Sequence, residues 1–282
     1  MRLGGGVQRP YANPEEWLGL VRELNYSAVI APINAAAGAA EIEAYKAIAR
    51  DNDLLIGEVG VWRNVLALDD NEREAATAYA VAQLRLADEL GANCCVNIAG
   101  ARGAVWDGYY PDNYSEDVYA MIVDSVRGII DAVKPKRAFY TLEPMPWMHP
   151  DSPEGYLRLI KDIDRAMFGV HLDYANMINS VERYHNSSAF IRHCFDLLGP
   201  HIKSVHAKDV AMGTGLPCQI REAPPGHGTV NYKLVLRLTQ ALGDDATLFI
   251  EHLDTHEDYM AAAAFVRGEA AAAGVAVKSL RF

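Results

Sequence analysis

Short runs of apolar and β-branched residues alternate with helical patterns along the whole chain. The first run, RLGGGVQ (2–8), precedes a helical pattern at 13–24. Seven further runs, each followed by a helical pattern, cover residues 26–34, 54–62, 92–100, 137–145, 168–176, 202–210 and 247–254. The runs are nearly continuously apolar, as expected for parallel strands covered on both faces. Eight such units predict an α/β fold, a single-domain (β/α)8 TIM barrel spanning residues 1–282.

A doubly wound parallel sheet is the alternative arrangement for this alternation. It is disfavoured because no G-x-G-x-x-G motif follows the first run, and the glycines at 4–6 indicate only a flexible loop. Residues with capping side chains precede or begin several helical patterns, which supports the predicted helix boundaries. The predicted N-caps are Asn13, Asn71, Ser115 and Ser152.

The acidic composition limits the partners that such a barrel can have. The formal net charge is -11 and the pI is about 5.3, which disfavours binding to nucleic acid. No apolar run approaches the ~18 residues that span a bilayer, and the first residues lack a signal-peptide core, so we expect no membrane association. The four cysteines have no metal-ligand spacing, which favours reduced thiols in a cytoplasmic protein. They are Cys94, Cys95, Cys194 and Cys218.

Acidic residues and one histidine stand at the ends of the last four strand-like runs. They are Glu143, Asp173, His206 and Glu251. A lone acid at a strand end is usually a helix cap or a surface charge. Four residues in register on successive units are different, because the carboxyl ends of barrel strands surround one mouth. Three carboxylates and an imidazole predict a site for one divalent metal ion. Mn²⁺ is the preferred candidate, and Mg²⁺ and Co²⁺ are the alternatives.

The interval between His206 and Glu251 is longer than one strand–helix unit. The additional residues, AMGTGLPCQIREAPPGHGT, are rich in glycine and proline. They predict a long loop at about residues 210–230 that acts as a lid over the mouth.

The motifs LEPMP, HLDYAN, SVHAKD, REAPPGHGTVNY and IEH resemble those of the xylose-isomerase-like TIM-barrel superfamily. They are most similar to its sugar phosphate isomerase/epimerase branch, which includes ketose 3-epimerases, hydroxypyruvate isomerase and inosose dehydratase. The resemblance implies the four metal ligands named above. It also implies that Glu143 and Glu251 form the acid/base pair and that Arg221 holds substrate oxygens. A small-molecule sugar substrate and a homo-oligomer, either a dimer or a tetramer, are further implications.

The chain departs from the ketose 3-epimerases at two positions that would contact substrate. Asn176 stands where those relatives carry histidine, and His149 stands where they carry glutamate. Trp147 is a candidate apolar wall for a sugar ring. Lys208 has the same strand-side parity as His206, so it either reaches the pocket to stabilise an oxyanion or forms a salt bridge at the rim.

Further polar residues lie within or just after the strand-like runs. His171 shares the parity of Asp173, which favours a structural role in the barrel layer below it. Glu58 and Asn97 lie on earlier runs and are further candidates to reach the mouth. Arg102 is a candidate for binding an anionic substrate.

The predicted site suits removal of a proton next to a carbonyl through an enediolate. The expected function is therefore that of a divalent-metal-dependent sugar isomerase or epimerase acting on a ketose or related polyol-ketone. The alternative is a metal-dependent lyase, an inosose-type dehydratase or C-glycoside-cleaving enzyme, with His149 as an added base. A DNA-repair nuclease is disfavoured by the net charge of -11 and the single ligand set. The intact pair of Glu143 and Glu251 disfavours a non-catalytic sugar-binding barrel.

Overall fold

Eight parallel strands close into a barrel in the computed structural model, which describes residues 1–280. The strands of the molecule are β1 (Arg2–Gly5), β2 (Ala28–Ile30), β3 (Leu55–Gly60), β4 (Cys94–Asn97), β5 (Phe139–Leu142), β6 (Phe168–Leu172), β7 (Ile202–His206), β8 (Asp209–Met212), β9 (Ile220–Ala223) and β10 (Thr247–Ile250). Around the barrel the order is β1-β10-β7-β6-β5-β4-β3-β2. The predicted (β/α)8 TIM barrel is thereby confirmed.

Helices surround the barrel and follow its strands in the chain. They are α1 (Pro14–Glu23), α2 (Ala39–Asp51), α3 (Asp70–Leu90), α4 (Glu116–Val133), α5 (Pro153–Ile163), α6 (Tyr174–Met177), α7 (Val181–His185), α8 (Ser187–Leu198), α9 (Tyr232–Ala241) and α10 (His256–Ala273). Two 3₁₀ turns lie at Pro111–Tyr114 and Gly199–His201. The long helices bury one apolar face; in α4 this face includes Val118, Ile122 and Ile129. No helix within residues 1–280 is both long and apolar enough to cross a membrane.

Three of the four predicted N-caps accept a hydrogen bond from the first turn of their helix. Asn13, Ser115 and Ser152 cap α1, α4 and α5. The prediction of Asn71 is wrong, because Asp69 caps α3 by accepting from the backbone N–H of Glu72. Asn71 instead lies in the first helical turn.

The glycines of the first run are part of the barrel wall, so reading them as a flexible loop was wrong for Gly4 and Gly5. Both residues lie in β1. A Cβ at Gly4 would come within 2.6 Å of a Phe249 ring atom, and one at Gly57 within 2.7 Å. Glycine at these two positions therefore makes room for the phenylalanine ring and, at Gly4, also for the backbone of Ala28 on the neighbouring strand.

The segment after β7 contains regular structure in place of a continuous loop. Strands β8 and β9 form an antiparallel hairpin in which Asp209 pairs with Ala223 and Met212 with Ile220. The Asp209 carboxylate accepts backbone hydrogen bonds from Val210, Gly226 and Val230, which fixes the base of the hairpin. The predicted strand at 202–210 is accordingly divided between β7 and β8. A lid movement of the segment at 210–230 stays a prediction.

Candidate metal centre

Four side chains converge at the carboxyl ends of four neighbouring strands. Glu143 follows β5, Asp173 follows β6, His206 ends β7 and Glu251 follows β10. Each offers one ligand atom, and these four atoms all lie within 4.8 Å of one another. The strands β5, β6, β7 and β10 are consecutive around the barrel. The four residues at their ends therefore lie side by side in a single cluster.

Asp173 and His206 each direct one atom into the cluster and use another elsewhere. The Asp173 Oδ1 atom accepts from the backbone N–H of Asn176 and so caps α6, while Oδ2 faces the cluster. The Nδ1 atom of His206 lies 2.5 Å from Glu251 Oε1, 3.6 Å from Glu143 Oε1 and 3.8 Å from Asp173 Oδ2. His206 Nδ1 is therefore the nitrogen available to a metal ion.

Lys208 also reaches the cluster and does not lie at an exposed rim. Its side chain is 1% exposed, and Nζ lies 2.7 Å from Asp173 Oδ2 and 2.5 Å from Glu251 Oε1. Glu143 Oε1 is 3.5 Å away and Glu222 Oε2 is 3.6 Å away. The ammonium group thus adds one fixed positive charge to a group of three converging carboxylates.

The charged groups of the cluster shift one another's pKa values. Burial opposes ionisation of Glu251, but the charges of His206 and Lys208 outweigh it and lower the pKa of Glu251 to about 2. The same opposition holds at Asp173, where the charge of Lys208 lowers the carboxyl pKa far below its usual range. Burial lowers the pKa of His206 less than Glu251 and Glu58 raise it, so the pKa lies well above its ordinary value.

The donor set fits a divalent metal ion. Four buried atoms face the shared space at close range, yet their angles give none of them a hydrogen bond of acceptable geometry with any residue from 1 to 280. These atoms are Asp173 Oδ2, His206 Nδ1, Lys208 Nζ and Glu251 Oε1. Three oxygen donors and one imidazole nitrogen are ligands that Mn²⁺ and Mg²⁺ accept.

A second polar group lies beneath this cluster, inside the barrel. Glu58 on β3 contacts His171 Nε2 at 3.1 Å and His206 Nε2 at 3.4 Å. His171 therefore occupies the lower layer that its parity predicted, and Glu58 lies in that layer as well, below the cluster. The position of Glu58 was missed because the run LLIGEVGVW shows only that one carboxylate is buried, not the height at which it meets β7.

A cleft of about 730 Å³ adjoins the cluster and contains three of the predicted substrate-binding residues, Trp147, Asn176 and Arg221. Asn176 Nδ2 donates to Glu143 Oε1 at 3.2 Å, so the amide contacts a candidate ligand directly. Glu222, next to Arg221 on the hairpin, also lines the cleft. Asn176 and Glu222, whose Oε2 lies 3.6 Å from Lys208 Nζ, therefore connect the cleft to the cluster.

His149 is not brought to this region. Its ring packs edge-on against Tyr114 and Tyr119, at 5.2 and 5.3 Å between centroids. Burial lowers its pKa. The prediction that His149 contacts substrate or acts as an added base has no support from these contacts.

Asn97 and Arg102 also serve other contacts. Asn97 exchanges two hydrogen bonds with the backbone of Arg63, which holds the segment after β3. The Arg102 guanidinium donates to the carbonyl of Leu66 and contacts the sulfur of Met121. Both side chains thus support loops around the mouth.

A closed parallel barrel with a polar cluster at the carboxyl ends of its strands has the arrangement of TIM-barrel enzymes. The family can be stated more narrowly. Residues 18–269 match the xylose isomerase-like TIM barrel family, and the chain belongs to that family. No curated protein matches the chain.

Solved structures with the same fold include sugar epimerases. A 3-keto-D-glucoside 4-epimerase from E. coli is 17% identical, with a TM-score of 0.69 over 95% of this chain and 99% of that one. A D-psicose 3-epimerase from Clostridium cellulolyticum, in complex with D-tagatose, is 15% identical, with the same TM-score and coverage. A xylose isomerase-like protein from Mycobacterium smegmatis, in complex with magnesium, is 19% identical, with a TM-score of 0.67 over 97% of each chain.

Proposed function

We propose that this protein is a divalent-metal-dependent sugar isomerase or epimerase that removes and returns a proton next to a carbonyl. The observation that carries the proposal is the convergence of Glu143, Asp173, His206 and Glu251 within 4.8 Å at the mouth of the barrel. Membership of the xylose isomerase-like family and the epimerases among the structural neighbours support the reaction class.

Glu143, Asp173, His206 and Glu251 would hold one metal ion, with Mn²⁺ as the first choice and Mg²⁺ or Co²⁺ as alternatives. The magnesium complex of a structural neighbour agrees with a divalent ion of this type. When bound, the ion supplies a Lewis acid that polarises the carbonyl and hydroxyl oxygens of the substrate.

Glu143 and Glu251 are the proposed proton-transfer pair. They follow the two outer strands of the set β5-β6-β7-β10, so they approach the cluster from opposite sides. Glu251 and Glu143 are also more accessible than Asp173, with side-chain exposures of 12%, 6% and 0%. One glutamate removes the proton beside the carbonyl and the other returns it to the opposite face or to the neighbouring carbon.

Lys208 is proposed to stabilise the negative charge that develops on the substrate oxygens. Its ammonium lies 2.5 Å from Glu251 Oε1, close to one member of the proposed proton-transfer pair. A fixed cation in a buried site stabilises a developing oxyanion more strongly than it would in water. Lys208 therefore complements the carboxylates, which cannot supply positive charge.

Trp147, Asn176 and Arg221 are proposed to contact the rest of a small, non-polymeric sugar in the adjoining cleft. Asn176 would position Glu143, which it already contacts, and the Arg221 guanidinium would bind substrate oxygens. The lyase alternative is not favoured, because its added base, His149, packs between two tyrosine rings.

The location, oligomeric state and partners of the enzyme are proposed from the sequence alone. We propose a cytoplasmic homo-oligomer, either a dimer or a tetramer, without nucleic-acid or membrane partners. Size-exclusion chromatography with light scattering measures the mass of the particle, and a mass near the 30.9 kDa of one chain contradicts the oligomer.

Metal analysis combined with NMR of a ketose panel in D₂O tests the function. The purified protein, supplied in turn with Mn²⁺, Mg²⁺ and Co²⁺, is incubated with D-psicose, D-tagatose, D-fructose and related ketoses. We expect deuterium at a carbon next to the carbonyl, together with an epimer or aldose product. Products that have lost water or an aglycone, without such exchange, identify a lyase and contradict the proposal.

Glu251→Gln tests the acid/base pair, because it preserves the shape of the side chain and removes its proton affinity. We expect this variant to lose deuterium exchange. Glu154→Gln is the matched control: Glu154 is an exposed residue in the first turn of α5, pairs with His193 and makes no contact with the four candidate ligands, so its variant should retain exchange. Full activity of Glu251→Gln contradicts the assignment.

A further inference from the structure

The polar layer beneath the metal centre is built from strands on several sides of the barrel. Glu58 lies on β3, His171 on β6, Ser204 on β7 and Thr247 on β10. All four residues are at most 1% exposed. An ionised carboxylate buried to this degree needs hydrogen-bond donors that offset its loss of water. The identity of these donors indicates what the layer does.

Glu58 is held from one side by two hydroxyl groups. Thr247 Oγ1 donates to Ser204 Oγ at 3.2 Å, and the Ser204 hydroxyl donates to Glu58 Oε1. Ser204 is two residues before His206 on β7, so the same strand fixes the carboxylate and carries the candidate ligand. This support leaves the carboxylate little freedom to rotate.

Two imidazole rings approach the other side of Glu58. His171 Nε2 lies 3.1 Å from Oε1, and His206 Nε2 lies 3.4 Å from Oε2. The two Nε2 atoms are 2.8 Å apart. A carboxylate can only accept hydrogen bonds, and two N–H groups cannot point at each other across 2.8 Å, so the contacts require a proton on at least one of the two Nε2 atoms.

The ring of His206 therefore connects two different surroundings. Nε2 faces the acceptor Glu58, while Nδ1 faces the carboxylates at the mouth. The hydrogen bond made by one imidazole nitrogen determines which nitrogen can offer a lone pair to a metal. A proton kept at Nε2 leaves the lone pair of Nδ1 directed into the cluster.

We propose that Glu58 is a positioning residue that fixes the orientation and tautomer of His206 for metal binding, and that Ser204 and Thr247 fix Glu58 in turn. The inference rests on the metal centre of the proposed function. It adds a contact on which metal affinity depends and which lies outside the ligand set. Carboxylate partners of metal-binding histidines typically change metal affinity by about 10–100-fold.

Titration calorimetry of Mn²⁺ binding to the chelator-treated protein tests the proposal. Glu58→Gln should bind Mn²⁺ about 10–100-fold more weakly than the natural sequence, because a neutral amide can donate to Nε2 and favour the other tautomer. Thr141→Val is the matched control. Thr141 is also fully buried in the barrel and donates to the Cys95 carbonyl at 3.3 Å. The Thr141→Val protein should bind Mn²⁺ as tightly as the natural sequence does.

NMR of ¹⁵N-histidine-labelled protein with Zn²⁺ separates positioning from a purely structural effect. We expect His206 of the natural sequence to carry its proton on Nε2 and to bind the ion through Nδ1. In Glu58→Gln, a second form of His206 should appear, with its proton on Nδ1. If Glu58→Gln does not fold, Ser204→Ala takes its place, with Mn²⁺ binding roughly fivefold weaker, which corresponds to about one lost hydrogen bond.

The outcomes distinguish the two proposals. Unchanged Mn²⁺ affinity and an unchanged His206 tautomer in a folded Glu58→Gln protein overturn the role of Glu58 alone. A His206 that binds Zn²⁺ through Nε2 in the natural sequence overturns it as well. A natural protein that binds neither ion overturns both the metal centre and this inference.

Discussion

Buried charges lie at both ends of the barrel, and their surroundings differ. At the amino-terminal end, Arg2 is 5% exposed and donates to the carboxylates of Asp53 and Asp245 and to two backbone carbonyls. Asp88, which is only partly buried, accepts three backbone N–H groups at the entry to β5. Each charge there has complementary partners that hold strands together.

At the carboxyl-terminal end, three carboxylates converge and share Lys208 and His206. Polar atoms of Asp173, Lys208 and Glu251 make close contacts there whose angles do not suit hydrogen bonds. Like charges brought together in a buried site are unfavourable for folding unless a ligand or cation compensates them. The comparison therefore separates charges that stabilise the fold from charges arranged for binding and catalysis, and it predicts opposite effects of substitution at the two ends.

The largest effect is expected from Asp173→Asn at the mouth. This change removes one proposed metal ligand and one negative charge but retains a side chain that can cap α6. We expect the turnover number to fall by about 10³-fold or more, equivalent to about 4 kcal/mol of transition-state stabilisation. The free energy of unfolding measured in chelator should fall by less than it does for Arg2→Met, because relief of the repulsion among the carboxylates offsets part of the lost contact between Asp173 and Lys208. Steady-state kinetics and urea unfolding give the two values, and a large loss of stability without loss of turnover reverses the comparison.

Arg2→Met should have the converse effect at the other end. It removes the guanidinium that connects the start of β1 to the segments before β3 and β10, so Asp53 and Asp245 each lose one charged partner, although Asp245 keeps its contact with Lys278. We expect unfolding in urea to require about 3 kcal/mol less, since hydrogen bonds to charged groups contribute about 1.5–3 kcal/mol each. The activity per folded molecule should stay the same.

Arg2→Lys is the control for this loss. It retains the positive charge without the fork that donates to two carboxylates, so it should recover only part of the stability. Equal stability of Arg2→Lys and the natural sequence means that net charge, and not the arrangement of the donors, is what matters at this end.

A smaller effect is expected for Arg221→Ala, at the edge of the cleft. Arg221 lies on β9 and is exposed, so its removal should leave folding unchanged. Loss of a substrate contact should raise KM about tenfold, equivalent to about 1.4 kcal/mol, with kcat almost unchanged. Arg221→Lys should recover part of the affinity. An unaltered KM in Arg221→Ala removes this residue from the substrate site.

The fold and the four candidate ligands could be predicted because both depend on local signals. Continuous apolar runs mark buried parallel strands, and the ends of those strands meet at one mouth whatever the details of packing. Glu143, Asp173, His206 and Glu251 stand at such ends. Their convergence therefore follows once the runs are aligned.

Contacts across the barrel and in the loops could not be predicted in this way. The proximity of Glu58 to His206 depends on the height of β3 relative to β7 in the barrel. These two strands are far apart in sequence, so no local pattern determines that height. The place of Gly4 in a strand depends on the close approach of the Ala28 backbone and the Phe249 ring. His149 follows two prolines beyond the end of β5, where strand parity no longer determines the direction of a side chain.

The smallest effect is expected from Asp88→Asn at the amino-terminal end, and it depends on pH. Burial raises the pKa of Asp88, but its hydrogen bonds from the backbone N–H groups of Ala138, Arg137 and Lys136 outweigh this and lower it. A carboxyl group with a lowered folded-state pKa adds stability above its unfolded pKa of about 3.9, and that stability is lost as the pH falls through the folded value.

We expect Asp88→Asn to reduce the free energy of unfolding by about 1 kcal/mol at pH 7, because an amide oxygen is a weaker acceptor than a carboxylate and the group is partly exposed. The difference between the variant and the natural sequence should shrink progressively below pH 4, as the carboxylate becomes protonated. Urea unfolding at pH 7, 5, 4 and 3 follows this trend. If the difference in the free energy of unfolding stays constant down to pH 3, the three hydrogen bonds to Asp88 do not depend on its charge. Asp88 then differs from Arg2, whose charge is expected to stabilise this end of the barrel.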